Sequence, residues 1–287
     1  VYDVVVLALA DPVDRDQVRA PVRRCADALT RAGARVETVT ATSDQEIDRV
    51  VERAGEVRLV VAAATDGQLR AVVRRMVRRA APPPSRRPAG LPDNRTVPDL
   101  PPLAVLPLDP AGGGLAARLR LPRDPAGVAA AVLGDRVRRL DLLRQDGASA
   151  VTLDGALLGG TDQAGRAVSW QARIEVDDAL LSPGDEPLLA GLVANADGYA
   201  RPDGLPLVTA ADPADGVIEV AVALLIRAGW RRRVRVEVRR ARGRAVTVRP
   251  AGAGVATLDD GVAGELTRPR SWWVEPGAWA VYTGAGD

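Results

Sequence analysis

Residues Val57–Met76 read VRLVVAAATDGQLRAVVRRM. An apolar run from Val57 to Ala64 ends at Thr65-Asp66-Gly67-Gln68, and Leu69, Val72, Val73 and Met76 then follow at i, i+3, i+4, i+7. The pattern predicts a buried strand, a tight turn and a helix. In open α/β sheets this junction binds ligands, often phosphates, because the first amides of the helix have no partner inside it. Asp66 is expected at the carboxyl end of the strand, with Gly67 turning the chain at positive φ. Phosphate cradles usually hold several glycines, and this turn holds one.

The same alternation surrounds this stretch. Asp3–Leu9 reads as a buried strand, and Val18, Val22, Cys25, Ala26 and Leu29 line one face of a helix that stops at Gly33. Arg35–Thr40 is a second strand, and Ser43-Asp44-Gln45-Glu46 is a capping box for a helix carrying Ile47, Val50, Val51 and Ala54 inward. Strand–helix order repeated three times predicts a parallel sheet flanked by helices. From Arg78 to Pro102 proline breaks all periodicity, which predicts a mobile surface loop. The sheet resumes at Leu103–Leu108, before a glycine run at 112–114 and a helix over Ala126–Leu133. Beyond residue 140 short alternating strands (Ala167–Val176, Leu188–Ala194, Val217–Ile226, Arg233–Arg240, Arg244–Arg249) predict an antiparallel sandwich.

Composition removes whole classes of chemistry. The 287 residues contain no histidine, which excludes Ser-His catalysis, His-ligated metals and imidazole switching; no zinc or haem site is expected. Lysine and phenylalanine are also absent, a sign of a genome biased against their codons. All 39 basic residues are therefore arginine, so anion binding falls to guanidinium groups and backbone amides. A lone Cys25 forbids an internal disulfide and fits a reducing compartment. A net charge of +2 and 3% aromatic residues argue against nucleic acid. With no apolar run of membrane-spanning length, a cytoplasmic protein is expected.

Several motifs carry chemistry, and each also reads as an ordinary turn or solvated face. Asp212 and Asp215, in Ala-Asp-Pro-Ala-Asp-Gly before a strand, offer oxygen ligands suited to Mg²⁺. Gly112 and Gly113 sit in a loop that amides alone would make anion-binding. Arg231–Arg233, Arg235, Arg239, Arg240, Arg242 and Arg244 make a basic strand pair with valines alternating between them. Such a pair suits a solvated sheet face, an anionic membrane surface or a phosphorylated partner.

Taken in order, these segments resemble the diacylglycerol kinase and sphingosine kinase family of lipid kinases, whose nucleotide domain is shared with NAD kinases. The family's Asn-Pro-x-Ser-Gly loop aligns with Asp11-Pro12-Val13-Asp14-Arg15, and its Gly-Gly-Asp-Gly-Thr signature with Ala64-Thr65-Asp66-Gly67-Gln68. Its second nucleotide loop, Pro-Leu-Gly-Thr-x-Asn-Asp-Phe-Ala-Arg, aligns with Pro107-Leu108-Asp109-Pro110, the glycine run and Ala117-Arg118. Arg138-Arg139-Leu140-Asp141, Val193-Ala194-Asn195, Ala211–Gly216 and Pro276-Gly277-Ala278 match later landmarks. The departures concentrate where the family holds phosphates and metal. Ala64, Thr65 and Gln68 replace two glycines and a threonine, Asp109-Pro110 replaces Gly-Thr, and the acidic partner of Asp212 and Asp215 is missing. The family's base lies in an Asp-Gly-Glu turn; counting back from Pro276 without gaps puts Asp259-Asp260-Gly261 there. A helical stretch that the family usually carries after the Asp-Gly strand is also missing, since Ile226 runs through Ala228-Gly229-Trp230 into Arg233.

The sequence thus predicts an α/β nucleotide-binding-like domain over 1–140, a parallel sheet flanked by helices with a Pro-rich loop at 80–102. An antiparallel β-sandwich domain follows over 141–287, its last residues returning to the first domain. The functional expectation is a lipid-kinase-like protein with degraded ATP and Mg²⁺ sites, weak or inactive as a kinase. It would act by binding a lipid or small molecule in an interdomain cleft, a protein partner (a second copy included), or an anionic membrane through its Arg-rich strands. The alternative is an active ATP-dependent lipid kinase with a rearranged site. In that case Asp11, Asp66, Gly67, Gln68, Gly112 and Gly113 would meet the nucleotide, Asp212 and Asp215 would hold Mg²⁺, and Asp260 or Glu265 would be the base. An NAD-kinase-like enzyme is a third reading that fits the second-domain landmarks less well.

Overall fold

The computed structural model describes residues 2–9, 15–147, 150–162, 164–228, 233–252 and 254–284. The chain divides into two compact units, Val1–Leu140 with Gly277–Asp287, and Asp141–Pro276.

The first unit runs β1 (Asp3–Leu9), α1 (Arg15–Arg31), β2 (Arg35–Ala41), α2 (Asp44–Glu52), β3 (Arg58–Ala63), α3 (Asp66–Ala80), β4 (Leu103–Pro107), α4 (Leu115–Arg118), α5 (Pro125–Leu133) and the start of β5 (Val137–Gln145). The strands lie parallel in the order β4-β3-β1-β2. Consecutive residues Val4–Leu9 and Leu59–Ala63 are buried, as inner strands with both faces covered require, whereas the edge strand β2 is exposed along most of its length. Cys25 and Leu29 of α1 are fully buried in the core, and burial pushes the Cys25 thiol up to about 11. The capping box forms as read, with Ser43 and Glu46 exchanging their backbone and side-chain bonds.

The proline-rich stretch departs from the mobile loop expected of it. A single 3₁₀ turn at Pro84–Arg86 interrupts it, and Leu91, Val97 and Leu100 are buried. Arg87 donates to the carbonyls of Leu91, Pro92 and Arg95, and Arg95 to that of Val97. Proline removes backbone donors, and the two guanidinium groups replace them, so a segment without periodic secondary structure is still pinned.

The second unit continues through β6 (Val151–Thr152), β7 (Gly155–Leu158), β8 (Gly160–Thr161), β9 (Ala167–Val168), β10 (Ala172–Val176), β11 (Ala179–Pro183), β12 (Leu188–Ala194), β13 (Ile218–Ala228), β14 (Arg233–Gly243), β15 (Ala245–Pro250), β16 (Val255–Asp259), β17 (Val262–Leu266) and β18 (Arg270–Tyr282). One antiparallel sheet has the order β14-β13-β12-β7-β16-β17, and β11-β10-β15-β18 form a second antiparallel run. Ile174, Val246 and Trp272 of the second run share a buried cluster with Leu158, Val193 and Val222 of the first. That is the predicted sandwich. The strand expected over Ala167–Val176 is broken at Trp170, which exchanges two backbone bonds with Leu188 instead of extending either neighbour. Both β5 and β18 pass from one unit into the other, and within the first unit Val281 pairs parallel with Leu103 of β4.

Candidate functional site

Thr65 is the N-cap of α3, its hydroxyl accepting from the Gln68 amide at 3.3 Å. Asp66, Gly67 and Gln68 are thus the first helical turn, and Gly67 is absent from the positive-φ glycines, which corrects the turn read from sequence. The Gln68 side chain reaches back and accepts from the Ala64 amide at 2.7 Å. That bond falls on the residue before the N-cap, so the turn is capped by Thr65 and tied back by Gln68 without the reciprocal bond of a capping box. The Asp66 carboxylate accepts from the Leu115 amide at 2.9 and 3.0 Å and from Arg118 Nη2 at 2.8 Å. Arg118 also donates to the Gly113 carbonyl. Asp66 and Arg118 therefore clasp the glycine loop to the start of α3.

The glycines of that loop accommodate the chain's own acids. A Cβ on Gly114 would lie 3.0 Å from Asp66 Oδ1, and one on Gly112 would lie 2.8 Å from Asp109 Oδ2. Asp109 Oδ1 accepts from the Gly112 amide at 3.2 Å. Around Gly113 the space is open. The structure brings Asp66, Gly67, Gln68, Gly112 and Gly113 together within the first unit; Asp11 lies outside the described residues.

In the second unit Asp212 caps the Ala214 amide, while Asp215 accepts from Val217 at 3.1 Å and from Arg242 at 2.6 Å. Among the described residues no group of three acidic side chains is arranged to hold a metal. The turn that carries both aspartates is fastened by buried Asp141, whose carboxylate accepts from the Gly216 amide at 2.6 Å. Asn195 donates to the carbonyls of Asp141 and Leu153, both at 2.9 Å. Three landmarks distant in sequence thus meet in one scaffold. Nothing in their local sequence assigned them that role.

Asp260 and Gly261 are the two turn residues of the β16–β17 hairpin, with φ of 46° and 77° and Asp259 paired to Val262. Positive φ at both positions is the turn that Asp-Gly favours. The Asp260 carboxylate is fully buried and accepts from the amides of Leu153 and Asp154 at 2.9 Å and of Gly155 at 3.3 Å. Asp259 beside it accepts from Gln145 at 2.6 Å and Thr152 at 2.9 Å. Glu265 is exposed on β17 at the rim of an open pocket of about 340 Å³, walled by Trp170, Val168, Gly160 and Ala256. A base must come within hydrogen-bond reach of a substrate hydroxyl. Asp260 is spent on holding the β6–β7 turn, while Glu265 is open to solvent.

Burial, and next the charge of Asp259, push the Asp260 carboxyl well above the usual carboxylate range, against the pull of the Leu153 amide. A carboxyl with a raised native pKa binds its proton more readily when folded. Its protonation therefore stabilises the fold at low pH, and that contribution is lost as pH rises through the native value. Asp260→Asn cannot titrate. Parallel urea titrations should show wild type gaining stability relative to this variant as pH is lowered; a difference that is flat or reversed would contradict the assignment.

Residues 7–145 match the family described as the diacylglycerol kinase catalytic domain. Over the whole chain the fold is similar to that of a diacylglycerol kinase from Bacillus anthracis str. Sterne, with 13% identity, 98% of this chain and 97% of that chain covered, and a TM-score of 0.67. It is also similar to an NAD kinase from Archaeoglobus fulgidus solved in complex with ATP, with 15% identity, coverage of 99% and 94%, and a TM-score of 0.58. No curated protein matches. The match places residues 7–145 with the diacylglycerol kinase catalytic domain.

A diacylglycerol kinase catalytic domain implies use of ATP and Mg²⁺. The residues present here do not fit either group. Amides of Ala64, Gln68, Gly112 and Leu115 already donate to side-chain oxygens of the chain, and two of the residues that accept, Asp66 and Asp109, are acids where a phosphate would need positive potential. If the family's Asp-Gly-Glu occupies the hairpin turn at Asp260-Gly261, its glutamate position is Val262, one residue later than ungapped counting placed it. Arg118 is the residue at this site that sequence reading left without a role, and the structure makes it the partner of Asp66. Its signals were the match of Ala117-Arg118 to the end of the family's second nucleotide loop and its place just after the glycine run.

Proposed function

We propose that this chain is silent, or very slow, in phosphoryl transfer and works by binding. One observation carries the reading: Asp66 and Asp109 place carboxylates over Gly114 and Gly112, where the loop would otherwise present bare amides. Phosphoryl transfer rests on positioning and on neutralising developing charge, so a cradle closed by anions opposes it at the first step. The loss of a single such donor costs a hundredfold or more in rate, and here several are engaged at once. The sequestration of Asp260 and the pairing of Asp215 with Arg242 support the same reading.

The test is isothermal titration with Mg-ATP at millimolar concentration, run beside a phosphotransfer assay on diacylglycerol in mixed micelles. The expected result is no saturable heat and no phosphatidic acid above the no-enzyme control. Saturable binding near one nucleotide per chain with steady product formation would overturn the proposal and establish an active lipid kinase with a rearranged site.

A further inference from the structure

The open pocket of about 340 Å³ beside Glu265 lies at the end of β16 and β17 remote from their Asp260-Gly261 turn. Its walls come from β8, β9, β16, β17 and the residues next to them, all within the second unit. Trp170, Val168 and Val255 make it apolar, and bare backbone at glycines completes it. Val168 is 49% exposed on this wall, so an aliphatic side chain stands uncovered beside the indole.

The charge of the pocket is one-sided. The chain has 39 basic residues, all arginine, yet none is among the described residues that line it, whereas Glu265 is. Glu265 is exposed and has neither an ion pair nor a hydrogen bond among the described residues. Its carboxylate lies over bare backbone, where a Cβ on Gly254 would overlap Oε1. Gly254 is not among the positive-φ glycines, so what it supplies is room, and the carboxylate takes that room. Gly159, at φ 107°, gives the indole the same clearance, since a Cβ there would lie 2.9 Å from Trp170 Nε1.

An exposed acid has a bland use, to keep an edge strand solvated and unpaired. That use does not account for an apolar recess with a tryptophan wall next to it. Ligand pockets join apolar walls to a few polar groups that fix orientation, and their volumes start at roughly 300 Å³. Here the polar group is a carboxylate, which repels phosphates and other anions and attracts a cation. An indole favours a cation too, through the negative face of its ring. We propose that this pocket binds a small organic ammonium ion, with the charged nitrogen at Glu265 and an apolar body against Trp170 and Val168. The proposal is independent of whether the chain transfers phosphate.

Phenethylamine is the probe, with phenethyl alcohol and phenylpropionate as its neutral and anionic counterparts. The five tryptophans give five indole N–H cross-peaks in a nitrogen–proton correlation spectrum of the full chain, and Trp170→Phe identifies the one from Trp170. That peak should move saturably with the amine, with a Kd about fivefold higher for the alcohol, and should not move with the acid. Glu265→Gln should raise the Kd of the amine about fivefold and leave that of the alcohol unchanged. Asp178→Asn, at another exposed acid of the same unit, should change neither. Calorimetric titration of wild type and Glu265→Gln gives the same comparison without assigning a peak, so the test stands even if Trp170→Phe folds poorly. No saturable binding, equal affinity for amine and alcohol, tighter binding of the acid, or a Glu265→Gln chain that binds the amine like wild type would each overturn the proposal.

Discussion

Asp66→Ala should lower the unfolding free energy by about 2–4 kcal/mol. The carboxylate caps the Leu115 amide with both oxygens and pairs with Arg118, whose side chain is only 15% exposed. Removing it leaves a largely buried guanidinium facing an empty space and frees an amide at the start of α4. Loss of one partner from a buried pair costs more than the pair contributes, because the surviving charge stays desolvated. The remaining exposure of Asp66 keeps the figure below that of a fully enclosed pair. Chemical unfolding of wild type and variant measures it. A cost under about 0.5 kcal/mol, the size of an ordinary surface substitution, would show that the clasp between α3 and the glycine loop is not holding the fold. Asp66→Asn separates charge from shape, since an amide can still accept from Leu115 but no longer neutralises Arg118.

Trp272→Ala should cost about 3–5 kcal/mol, the range for truncating a large buried aromatic. Its indole is fully buried in the sandwich core among strands of both sheets. The neighbouring Trp273 is half-buried, donates its N–H to Glu275 at 3.0 Å and lies under Arg144, so its truncation should cost markedly less. Among the described residues Trp272 finds no hydrogen-bond partner for its N–H. Trp272→Phe therefore loses volume without orphaning a partner and should fall well short of the alanine variant. Unfolding followed by tryptophan fluorescence would check the ranking; equal costs at 272 and 273 would contradict it.

Much of this was legible beforehand, and the reasons are physical. Val4–Leu9 and Leu59–Ala63 are unbroken apolar runs because a central parallel strand is covered on both faces, and such runs cannot be hidden in a sequence. Ser43 and Glu46 announced the start of α2 because a cap needs those residue types at that spacing. The sandwich strands showed through their alternation. The proline-rich stretch misled for the converse reason: its order comes from Arg87 and Arg95 bonding carbonyls in the loop, and such bonds leave no period. Gly67 misled because glycine after aspartate suits a turn and a first helical turn alike, and only the Thr65 cap decides between them.

The candidate site divides along the same line. Sequence by itself determined the parallel α/β unit, the antiparallel sandwich, the family likeness and the list of phosphate and metal positions that had changed, because each depends on residue type at a local spacing. It did not show what the changed residues do. The bonding of Asp66 to Leu115 and Arg118, of Asp141 to Gly216, and of Asp260 to the Leu153–Gly155 amides joins residues 49, 52, 75 and more than 100 positions apart. Only the tertiary structure decides whether a carboxylate meets a ligand or a backbone amide of its own chain, because that choice depends on which distant loop the fold carries to within 3 Å of it.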